Sequence, residues 1–159
     1  MNGEEILLSF TSEYEFYAYR DMVLEAKYGS TSEKPIPVVK LECSSLVTKA
    51  SFLVTRTMPD FNDNENIYTY VASGVLITKT EEYKDKLLLE NVETSGDAIR
   101  NRFATFSGRN GQFMLTMTSS KATKDNPSVF YAVGYLTVLL PDGTPYTYYT
   151  EVGTAQVTN

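Results

Sequence analysis

Two acidic doublets, Glu4-Glu5 and Glu81-Glu82, are the first residues in this chain that suggest a reaction. Two carboxylates in a cleft suffice for glycoside hydrolysis, one acting as acid and the other as base or nucleophile. Adjacent residues on a strand point to opposite faces, so neither doublet converges on one substrate, and both read as solvated ends of elements. The chain has no histidine. That removes Ser-His-Asp and Cys-His catalysis and His-ligated zinc or iron. Its one cysteine, Cys43, cannot form an intrachain disulfide, a thiolate zinc site or an Fe–S cluster. Cys43 alternates with Val39 and Leu41 on one strand face, which predicts apolar packing rather than a nucleophile with a base beside it. No Gly-x-x-x-x-Gly-Lys-Ser/Thr or Gly-x-Gly-x-x-Gly string is present to cradle a nucleotide. These residues predict a protein that is not an enzyme and needs no cofactor.

Two groups of residues remain. Asp60, Asn62 and Asn64 present oxygen ligands at the spacing that opens an EF-hand loop. The match stops there. Glu65 stands where that loop needs glycine, and Val71 stands where it needs its last glutamate, so the alternative is a plain polar loop. The second group is the tyrosines, of which there are 12, beside 8 phenylalanines and no tryptophan. Tyr131, Tyr135, Tyr146, Tyr148 and Tyr149 are the candidate interaction surface, because tyrosine combines apolar area with a polar tip and is enriched at interfaces. The alternative for them is cross-strand packing.

The elements that would position these residues are mostly strands. Ile6–Phe10 is a short apolar run. Ser12 and Glu15 form a capping box, and Phe16, Tyr19, Val23 and Ala26 follow at helical spacing, so a helix is expected over 13–28 and stops at Gly29, the competing reading being a strand through the alternating aromatics at 14–19. The stretch from Ser30 to Pro37 reads as a linker. From Val38 the period changes to two. Strands are expected over 38–46, 49–57, 69–79, 112–118 and 129–140, with a shorter apolar run at 86–92 and a further one at 99–106. On the third strand Val71, Val75 and Ile77 are placed on one face, and Gly74 in its middle marks a bulge or a close backbone approach. Residues 107–111 hold an Asn-Gly turn. Leu140-Pro141-Asp142-Gly143-Thr144 is a sharper turn, with proline presetting φ and glycine taking the left-handed position. It joins 129–140 to one final strand over 145–157. The turn fixes the register, so Phe130 and Leu136 share one face, Tyr131 and Tyr135 the other, and Tyr146 and Tyr148 lie opposite Tyr149. The domain division expected is 1–37 for an N-terminal strand–helix extension and linker, and 38–159 for a β-sandwich.

The order of these strands resembles bacterial fibronectin-III-like and immunoglobulin-like surface modules over about residues 38–157. The strongest likeness is Val129-Phe130-Tyr131-Ala132-Val133-Gly134-Tyr135-Leu136, which looks like the penultimate strand of such modules, followed by an Asp-Gly turn and a tyrosine-rich last strand. The chain departs from the pattern in having no tryptophan and in carrying Val133 where those modules usually place arginine. The resemblance implies a mostly-β, antiparallel Ig/FN3-like sandwich, and an adhesive, spacer or self-assembly role at an extracellular surface, a cell surface or in a virion.

The partners expected are therefore another protein or further copies of this chain, with a glycan bound on exposed tyrosines as the alternative. Nucleic acid is not expected, because the net charge is −6 and lysine and arginine do not cluster. Membrane insertion is not expected, because no apolar run approaches the ~20 residues of a spanning helix. The start, Met1-Asn2-Gly3-Glu4-Glu5, has no secretory signal pattern, which fits either retention or a leader already removed.

Overall fold

The computed structural model describes residues 35–59, 67–103 and 110–159. The helix expected over 13–28, the calcium candidate Asp60, Asn62 and Asn64, and most of the Asn-Gly turn lie outside the described residues. The described part is mostly β and its sheets are antiparallel. A three-stranded sheet has the order β1 (Val38–Ser45), β2 (Ala50–Thr57), β5 (Gly111–Met117). A second sheet has the order β4 (Arg100–Phe103), β3 (Thr69–Thr78), β6 (Ser128–Leu139), β7 (Pro145–Tyr149), and β8 (Gly153–Val157) also pairs with β6. No described helix is long and apolar enough to cross a membrane.

Alternation explains the core. Ala50, Phe52 and Val54 of β2 point the same way and meet Val75, Ile77, Phe130, Ala132, Ala155 and Val157 of the other sheet. Val39, Leu41 and Cys43 of β1 pack against this cluster, as their shared face predicts. Burial pushes the Cys43 thiol up from its ordinary pKa, which lowers its thiolate fraction. A thiol reagent is therefore expected to modify the native chain far more slowly than the urea-unfolded chain at the same pH. Equal rates would overturn this packing role.

Two one-residue irregularities reset the alternation. In β3, Tyr70 pairs with Val138 but Ala72 pairs with Thr137, so Val71 is an extra residue and stands 51% exposed. Val71 therefore leaves the face it was expected to share with Val75 and Ile77. The bulge also lets both Tyr70 and Ser73 point inward, which uninterrupted alternation forbids. In the last strand, Tyr149 pairs with Tyr135 while Gly153 pairs with Ala132, four steps against three. The single final strand expected over 145–157 is thus two. Thr150 marks the break: its N–H donates to the Gly134 carbonyl at 2.9 Å, and its hydroxyl accepts from the Gly134 N–H at 2.9 Å. The extra residue turns Ala155 and Val157 inward although Tyr149 points outward.

A third layer covers the outer face of the larger sheet. The apolar run at 86–92 is neither strand nor long helix. It belongs to a connection with two 3-10 turns, Glu81–Lys86 and Leu89–Asn91. Leu87 and Ile99 of this connection bury Leu76, Val133 and Tyr135. The final turn forms as expected. Gly143 has φ +85°, its N–H donates to the Leu140 carbonyl at 2.8 Å, and Leu140 N–H donates to the Thr144 carbonyl at 2.8 Å. The Thr144 N–H also donates to Asp142 Oδ1 at 2.9 Å and holds that carboxyl below its ordinary pKa.

Candidate functional site

The β6–β7 hairpin separates the five candidate tyrosines into two sets. Tyr135 pairs with Tyr149 on the outer face, while Leu136 pairs with Tyr148 and Val138 with Tyr146. Tyr135 is only 2% exposed beneath the third layer, and its hydroxyl donates to Asn101 Oδ1 at 2.9 Å. Burial raises its pKa, and the Asn101 bond opposes that shift. Tyr131 is half-buried against the same cluster. These two residues belong to the packing.

The three tyrosines of β7 are placed differently. Tyr148 is half-buried against Met58, Leu136 and Val138, and burial raises its pKa. Tyr146 is 50% exposed and Tyr149 is 37% exposed. The Tyr146 and Tyr148 rings meet edge to face, with centroids 4.8 Å apart and planes at 68°. That geometry suits aromatic packing and does not form the flat platform on which a sugar ring stacks. The Tyr149 hydroxyl accepts from the Leu89 N–H at 3.2 Å, which leaves its ring against the third layer rather than free.

β7 lies at the rim of its sheet, with β6 as its ladder partner. The hydrogen bonds that close the turn and end the strand set which backbone groups point outward. Leu140 bonds to Thr144 and Thr150 bonds to Gly134, so the even-numbered residues of β7 face β6. The N–H groups of Thr147 and Tyr149, and the carbonyls of Pro145, Thr147 and Tyr149, then point away from it. Residues 143–150 carry no charged side chain. β1 is guarded by Lys40 and Glu42, and β4 by Arg100 and Arg102, whereas β5, the other outer strand of the smaller sheet, is uncharged like β7. Alternation and the turn signal placed Tyr146, Tyr148 and Tyr149 correctly relative to one another. What they did not reveal is that this strand ends the sheet, because strand order leaves no local mark in sequence.

Among the described residues no group of three or more histidine, cysteine, aspartate or glutamate side chains is placed to hold a metal ion. Comparison with protein-family models, with curated proteins and with solved structures returns no match to this chain.

Proposed function

We propose that this chain is a non-catalytic structural or interaction module, built as an antiparallel β-sandwich of the immunoglobulin or fibronectin-III type. It acts by adhesion or self-assembly, in the manner of modules of bacterial surfaces and virions. The observation that carries this reading is an uncharged rim strand, β7, on which Tyr146 is exposed. An unguarded rim offers backbone donors and acceptors to a strand of another chain, and flanking tyrosines add contact area at little entropic cost. The lack of histidine and of any nucleotide-cradling string supports a role without catalysis.

Light scattering across a wide concentration range tests the self-assembly form of this reading. The wild-type chain is expected to show mass growing with concentration. Tyr146→Lys is expected to shift that growth to at least about tenfold higher concentration, since a charge on a rim opposes strand pairing. A wild-type chain that stays monomeric throughout would remove self-assembly. An unchanged profile for Tyr146→Lys would remove β7 as the pairing edge.

A further inference from the structure

A cavity of about 240 Å³ opens between the ends of β3 and β5, the start of β6 and the segment that leads into β4. It lies apart from β7. Met117, half-buried, supplies accessible apolar surface, and Ile77 and Phe130 lie buried behind the lining. Lys79, Arg100 and Asp97 line it as well. Lys79 Nζ stands 4.8 Å from the centre of the Phe130 ring, a cation–π contact that places the ammonium at the cavity. Neither Lys79 nor Arg100 takes part in an ion pair among the described residues. Two cations against one carboxylate leave the cavity positive in a chain whose net charge is −6.

We infer that the cavity binds a small organic monocarboxylate. Its volume of about 240 Å³ exceeds the ~150 Å³ of a cavity that admits benzene, so a ligand of benzoate size fits. The planar guanidinium of Arg100 accepts a carboxylate through two parallel N–H donors, and Lys79 supplies the second positive charge. The body of the ligand rests against Met117, the accessible apolar side chain of the lining, while Lys79 and Arg100 orient its charged end. Asp97 repels a second negative group, so dianions are disfavoured. Sequence pattern gave no hint of this site, because its residues come from four separate stretches of chain.

The test is an NMR titration of the full chain with benzoate, with benzyl alcohol as the neutral ligand of similar shape. Benzoate is expected to produce saturable shifts at the amides of residues 77–80 and 97–100, and benzyl alcohol is not. Lys79→Gln and Arg100→Gln are each expected to weaken benzoate binding by about tenfold or more, because each removes a charge-assisted contact. Both side chains are exposed, so the unperturbed amide spectrum of each variant verifies its fold. Absence of saturable shifts, shifts centred elsewhere, an equal response to benzyl alcohol, or unchanged binding in both variants would each overturn the inference.

Discussion

Replacing Arg56 with alanine is expected to lower the unfolding free energy by about 3–4 kcal/mol, because it opens a cavity in the core and strips a buried polar cluster of its donor. The residue sits where strand alternation puts it. β2 turns Ala50, Phe52, Val54 and Arg56 to the same side, and Arg56 is only 2% exposed. Burial of a guanidinium is costly unless its donors are engaged. Arg56 Nη1 donates to Ser73 Oγ at 2.8 Å and to Tyr70 Oη at 3.1 Å. Its Cζ also lies 4.1 Å from the centre of the Tyr70 ring. Both partners point inward only because of the bulge at Val71. Arg56→Met keeps the apolar stem, and it leaves Tyr70 Oη and Ser73 Oγ 3.2 Å apart, where they satisfy each other. Its loss is expected to be smaller, about 1–2 kcal/mol, since volume-conserving replacements of buried charge are tolerated best. Urea unfolding of the three chains measures both values. If alanine and methionine cost the same, the apolar stem contributes nothing and this account of the site is wrong.

The strands were legible where one face is buried and the other solvated. β1, β2 and β5 show period two, and alternation placed Val39, Leu41 and Cys43 together. β3 and β6, buried on both faces over much of their length, were legible as apolar strand-forming runs, with Phe130 placed opposite Tyr131. The β6–β7 turn was legible because Pro141, Asp142 and Gly143 each meet a distinct backbone requirement. Both bulges were hidden. One extra residue changes the facing of everything after it, yet Val71 and the residues between Tyr149 and Gly153 look like ordinary strand composition. The third layer was hidden for another reason. Its 3-10 turns are too short to display a period, so Leu87 and Ile99 carried no sign that they cover Tyr135. That cover decides the fate of the candidate tyrosines, and it depends on contacts distant in sequence. The same limit applies to the cavity beside Lys79 and Arg100.

Gly74 shows how a local signal and a distant contact meet in one residue. A glycine inside a strand costs stability relative to alanine unless something needs its missing side chain. Here three neighbouring residues occupy that space. A Cβ at position 74 would lie 2.5 Å from the Arg102 carbonyl oxygen, 2.9 Å from Phe103 Cα and 2.9 Å from the Tyr135 hydroxyl. The first two are backbone atoms of β4 and cannot rotate away. Gly74→Ala is therefore expected to push β4 off β3 and to cost about 2–3 kcal/mol, the upper part of the range for overpacking a tight contact. Moving β4 also moves Asn101, which accepts the Tyr135 hydroxyl bond, so the outer cluster loosens with the strand. Amide hydrogen exchange should then accelerate at Arg100–Phe103 well beyond the rest of the larger sheet. Gly134→Ala is the matched comparison. Its Cβ would meet Thr150 Cγ2 at 3.3 Å and Val54 Cγ2 at 3.4 Å, both side-chain methyls that can give way. It is expected to cost less than about 1 kcal/mol, as small volume changes beside adaptable neighbours do. Equal losses in the two variants would mean that backbone crowding by β4 is not the reason for glycine at position 74.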